Sequence, residues 1–166
     1  MSRGFVKEDD QEEIPFVSPR ADLPQGVTNY VTQLGYNALL EEKKQLINER
    51  STLTISSEKE LRITTNTINA KLVQLETRIS TAKVIVVSNQ YKNEVRFGAV
   101  VALKNLKTNT LQTFQIVGVD EANIDQEKIS FVSPLAKKII NRKVGEQIEL
   151  ELPTTKSLLE IISIKY

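Results

Sequence analysis

Leucine or isoleucine recurs every seven residues in two successive stretches, Leu39–Leu46–Leu53 and Leu61–Ile68–Leu75, with a break between them. Leu72 and Ile79 fill the alternate seam position of the second stretch, and Leu40 and Ile47 flank the first. Spacings of three, four and seven place such residues on one face of a helix. Neither helix can bury so narrow a stripe by itself. An antiparallel pair of about 20 and 25 residues can, and it makes a rod about 30 Å long at about 1.5 Å per residue. The expectation is a coiled-coil helical hairpin over residues 31–83.

The break, "TISSEKEL" at residues 54–61, has a local explanation. Thr52, Thr54 and Ile55 are β-branched, and Ser56 and Ser57 compete for backbone hydrogen bonds, so helix propensity falls here. Ser57-Glu58-Lys59-Glu60 fits the S-x-x-E capping box, which puts the turn near residues 53–57 and gives Glu60 a capping task. Glu58 sits in the first helical turn, where a carboxylate suits the helix dipole. These two side chains are also the carboxylates at the end of the rod.

Beyond Val84 the period changes. "EVRFGAVVALKNL", "LQTFQIVGV", "KISFVS", "EQIELEL" and "LLEIISIKY" are β-branched or alternating, and turn-rich segments separate them. Within this region "SPLAKKIINRKVG" reads as one short helix. Ser133 suits its N-cap, Pro134 its first position, and Gly145 lies past its end. Leu135, Ile139 and Ile140 are expected to face inward, with Lys137, Lys138 and Arg142 in water. Residues 84–166 are thus expected to form a small head, an antiparallel sheet of about five strands with one helix, and the whole chain to be α+β. Residues 1–30 carry six acids, three bases and three prolines without a sustained period. They read as an acidic arm, disordered or draped in extended form over another part.

The chain has no cysteine and no histidine, which removes disulfides, thiolate or histidine-based nucleophile systems and the usual zinc and copper sites. Carboxylates remain, and the ion they favour is a hard one such as Mg²⁺. A net charge of +1 argues against a dedicated nucleic-acid binder. On the rod, Lys43, Lys44, Arg50, Lys59, Arg62, Lys71 and Arg78 alternate with Glu41, Glu42, Glu49, Glu58, Glu60 and Glu76, so no continuous basic stripe forms. With neither a membrane-length apolar run nor a signal-peptide core, the expected location is the cytoplasm.

The motifs "FGAVVAL", "QIVGVDEA", "SPLAKKII" followed by "VGE", and the closing "IKY" occur in the order found in the C-terminal domain of the GreA/GreB transcription elongation factors. The chain resembles that bacterial family over about 70 residues, and "VTQLGYNALLEEKKQL" and "ETRISTAKVIVV" open and close a hairpin of the same kind. The resemblance implies an FKBP-like fold for the head and RNA polymerase as partner. It implies docking at the rim of the polymerase secondary channel through Ser133 and Pro134, with Val132 replacing the polar residue usual before them. It also implies that the rod enters the channel, where acidic tip residues help hold a Mg²⁺ of the polymerase active centre and promote cleavage of backtracked RNA. Contact with nascent RNA and DNA would be indirect. By position the tip residues are Glu58 and Glu60.

The tip departs from the family pattern. The family's Asp-Leu-x-x-Glu-Asn stretch has no match in "TISSEKELRITTNT". The hairpin is also shorter by about a dozen residues, or on the order of 10 Å of reach. Two mechanisms follow: support of cleavage through Glu58 and Glu60, or occupancy of the channel without cleavage, as in Gre-related regulators of the Rnk type. In either case the chain is an accessory factor, not an enzyme, without a cofactor of its own and expected to be a monomer. Two other classes stand beside this. One is a plain interaction module whose seam dimerises. The other is a prolyl isomerase, for which Phe97, Phe114, Phe131, Tyr91 and Tyr166 would have to line an apolar pocket instead of the core.

Overall fold

A computed structural model describes residues 15–86, 93–151 and 153–166. Strand β1 (Tyr30–Val31) leads into helix α1 (Gln33–Ser51), followed by α2 (Glu58–Thr81) and β2 (Lys83–Val84). The head contains β3 (Val100–Asn105), β4 (Leu111–Val117), a 3-10 turn at Ile124–Gln126, β5 (Lys128–Ser130), α3 (Pro134–Ile139), β6 (Gln147–Glu151) and β7 (Lys156–Lys165). The chain is α+β, two long helices beside a mixed five-stranded sheet of order β5-β4-β3-β7-β6.

The heptad residues form the rod's seam. Leu39, Leu46, Ile68, Leu72 and Leu75 are buried together, with Leu53 and Ile79 packed on them. The expected stripe is wider than the real one. Leu61 is 37 % exposed, Leu40 42 % and Ile47 41 %. Leu61 lies in the first turn of α2, beyond the last residue of α1, so little opposes it. Leu40 and Ile47 each follow a buried seam leucine and are carried about 100° round the helix, off the contact line.

The base of the rod is closed by a pairing that local pattern did not suggest. β1 and β2 run parallel, with Tyr30 opposite Lys83 and Val31 opposite Val84. Buried Asn29 sits beneath them and donates through Nδ2 to the carbonyl of Arg78 at 2.9 Å and to Thr81 Oγ1 at 3.3 Å. It thereby serves a free carbonyl in the last turn of α2.

The head core comprises Val95, Val101, Leu103, Ile116, Ile129, Ile139, Ile148, Leu159 and Ile161, joined by Ala99 and Ala136. Leu135 and Ile140 pack against it, while Lys137, Lys138 and Arg142 are exposed, as expected. The expectation of a wholly antiparallel sheet is corrected at one pair, because β4 and β5 are parallel, Gln115 to Lys128 through Val117 to Ser130. No tight turn joins them. Residues 118–127 instead leave the sheet, reach the rod and return beside the end of β4, so the chain re-enters in the same direction. A bulge in β7 at Ile162 shifts the β3 pairing between Ala102 and Leu103.

Candidate functional site

The rod ends where the sequence places the turn. The Thr52 N–H closes α1 on the carbonyls of Asn48 and Glu49, and Ser57 caps α2, its Oγ accepting from the Glu60 N–H at 3.4 Å. Only this half of the capping box is formed. Glu58 and Glu60 are both exposed, and neither carboxylate has a hydrogen bond or ion pair among the described residues. No group of three metal-capable side chains occurs among those residues. Mg²⁺ needs about six oxygens in octahedral array. Among the described residues the tip thus offers two carboxylates, fewer than the oxygens of a complete Mg²⁺ site.

At the head, Ser133 Oγ accepts from the Ala136 N–H at 3.2 Å, so its hydroxyl caps α3. Pro134, in the first turn, is exposed beside Lys137 and Lys138. Pro134 thus presents the free surface of the pair and Ser133 fixes the turn beneath it. Glu58 and Glu60 lie at the rod tip and Ser133 and Pro134 on the head, so the two candidate sets do not share one site.

The aromatics are committed to packing. Phe97, Phe114, Phe131 and Tyr166 lie against the head core. Tyr30, from the rod base, meets Phe97 and Phe131 with ring centroids 6.0 and 5.7 Å away. Side chains engaged in this packing do not serve as the open apolar lining that an isomerase needs. Tyr91 lies outside the described residues.

A third cluster, not singled out in the sequence, joins arm, rod and head around Asp120 and Glu121. Helix α1 has no acid in its own first turn. Glu121 supplies one from the head, accepting from the N–H of the N-cap Thr32 at 2.9 Å and from Thr32 Oγ1 at 2.5 Å. The carboxylate thereby meets the positive end of the helix dipole. Gly35 makes room for it, since a Cβ there would stand 2.0 Å from Glu121 Cδ. Neighbouring Asp120 accepts from Arg20 Nε at 2.8 Å and lies 3.4 Å from Arg78 Nε. Its Oδ2 has no well-directed hydrogen bond, but the Arg78 guanidinium offsets its charge. Arg20 also forms a bidentate pair with Glu42 of α1, at 2.7 and 3.0 Å. The bonds to Glu42 first, then those to Asp120, hold its guanidinium more firmly protonated than an ordinary arginine, against the effect of burial. "VDEA" carried the resemblance in the sequence, but its task depends on partners 89 and 100 residues away.

Residues 90–166 match the family described as "Transcription elongation factor, GreA/GreB, C-term". The chain is 42% identical over 100 residues to the transcription elongation factor GreA of Francisella philomiragia, a stretch covering 60% of this chain and 62% of that factor. Against the GreA of Francisella tularensis subsp. novicida it is 40% identical over the same shares. The chain thus spans less than two thirds of the length of these relatives. Among solved structures, Gfh1 of Thermus thermophilus covers 84% of this chain at 22% identity with a TM-score of 0.42. Gfh1 of Thermus aquaticus covers 82% at 22% identity, with a TM-score of 0.43. No described helix is long and apolar enough to cross a membrane.

Proposed function

We propose that this chain is an accessory factor of RNA polymerase, because residues 90–166 match the GreA/GreB elongation-factor family. It acts in the cytoplasm as a monomer that modulates transcription elongation. The FKBP-like head docks at the rim of the secondary channel through the exposed start of α3, at Pro134 and the turn set by Ser133. The rod enters the channel and occupies it without promoting cleavage. The observation that supports this most strongly is the rod itself, a buried leucine seam ending in a capped turn, with α2 of 24 residues reaching about 36 Å. The resemblance implies a hairpin about a dozen residues longer, so this rod falls short by on the order of 10 Å, more than a ligand that must stand about 2 Å from a metal tolerates.

A second reading is favoured by one observation. Glu58 and Glu60 are exposed and free of partners among the described residues, the state a metal-ligating pair needs before it docks. On that reading Mg²⁺ is the polymerase's ion, which supplies Lewis-acid activation of the scissile phosphate. The two glutamates add oxygen ligands and orient nothing else.

Docking is tested by equilibrium binding to the cognate polymerase of Pro134→Ala and of Ser133→Asp, the latter chosen because Asp also caps helices. Binding weakened at least about tenfold, a change of ~1.4 kcal/mol, is expected for the pair combined. Unchanged binding would remove α3 as the docking element.

A further inference from the structure

We propose that residues 16–23 of the acidic arm form a strap that sets the angle between rod and head. The proposal deepens the reading above, because a rod that must enter a channel has to be presented at one angle. The rod and head are joined near the rod's base by Glu121 on Thr32 and by Arg78 with Asp120. The first contact holds only the start of α1, and the second holds only α2. Arg20 adds a different kind of link. One guanidinium holds Asp120 of the head and, through both oxygens, Glu42 of α1. Glu42 is ten residues beyond Thr32, about 15 Å up the rod. The strap therefore ties the head to α1 well beyond its start, at about the level where Arg78 of α2 reaches the same Asp120, so that both helices hold the head.

The arm is held in place on the C-terminal side of Arg20. The Ala21 carbonyl accepts from the Arg78 guanidinium, and the turn Pro24–Val27 is closed by the Val27 N–H on the Pro24 carbonyl at 3.1 Å. Gly26, at φ +80°, supplies the left-handed conformation that this turn requires. Phe16, the strap's aromatic residue, is in contrast 90 % exposed, while Val17 and Leu23 are half-buried, so the directional fastening is the charge at Arg20. A planar fork fits this task, since it can grip a carboxylate with two bonds while a third goes elsewhere. Lysine cannot reproduce that geometry.

The chain has no cysteine, so spin labels go only where cysteines are introduced. Ser56→Cys at the tip and Lys137→Cys on α3, both exposed, report the angle by pulsed dipolar spectroscopy on the full chain without polymerase. The expected result is one narrow distance distribution in the otherwise native chain. With Arg20→Ala the distribution should broaden about twofold or shift, and Arg20→Lys should behave like Arg20→Ala. Glu42→Ala, at a surface position of α1 where Ala favours helix, is the second variant and should broaden it likewise. An unchanged distribution in Arg20→Ala, or in Glu42→Ala if Arg20→Ala does not fold, would overturn the strap. The measurement needs no polymerase, so its failure is separate from failure of the functional reading.

Discussion

Gly35 illustrates how one residue can carry the joint between rod and head. Its lack of a side chain admits the Glu121 carboxylate to the start of α1. Gly35→Ala should raise helix propensity locally and still destabilise the protein by about 1–3 kcal/mol, because the introduced methyl overlaps Glu121. Urea denaturation checks this. Asp120 is the charge on which two arginines converge, and its side chain is 7% exposed. Asp120→Asn should lower stability by about 1.5–3 kcal/mol, the usual contribution of a hydrogen bond to a charged group. Tyr166 gives a pH signature. Its hydroxyl donates to the Glu94 carbonyl and accepts from the Arg96 N–H at 3.0 Å. Burial, the larger influence, raises its pKa above the ordinary 10.0, and the Arg96 N–H works in the opposite direction. The folded state thus holds this proton more tightly than the unfolded chain. The resulting stabilisation is complete below about pH 10 and is lost as pH rises through the folded value. Tyr166→Phe should flatten that alkaline decline in a series of melting temperatures. An equally steep decline in the variant would assign it to other groups.

The two helices were legible in the sequence because their signal is local. A seven-residue repeat, a β-branched break and a Ser-x-x-Glu cap lie within a few turns of one another, and the helix ends at Ser51 and Glu58 follow from them. Leu75, fully buried in the seam, should lose about 2–5 kcal/mol on replacement by alanine. Leu61→Ala, at 37 % exposure, should lose far less. Ser57→Ala should lose about 1 kcal/mol and should speed amide exchange in the first turn of α2. The short helix α3 was legible for the same reason, through Ser133 and Pro134. The parallel pairing of β4 with β5 was not. It is set by a detour of residues 118–127 to the rod, and "DEANIDQE" gives no local sign of where that detour leads.

As a whole, the molecule is a leucine-seamed rod and a small mixed-sheet head joined by carboxylates. Composition and motif order indicated both parts and the family that the head resembles. The joint between them was illegible because Arg20 and Asp120 are 100 residues apart, and no periodicity spans such a distance. The candidate site was half legible. Capping rules placed Glu58 at the tip and Ser133 at the start of α3, but whether a glutamate there is a cap or a ligand depends on what meets the tip. Glu60 was expected to close a reciprocal cap, and its carboxylate is instead left free among the described residues.

That distinction is resolved by transcript cleavage in a deliberately backtracked complex of the cognate polymerase, with and without the protein. Channel occupancy predicts that the polymerase's intrinsic cleavage slows, and that Glu58→Ala/Glu60→Ala slows it equally. Acceleration that disappears in the double variant would contradict occupancy and make the tip a cleavage-supporting one, while an unaltered rate at saturating protein would contradict entry into the channel altogether.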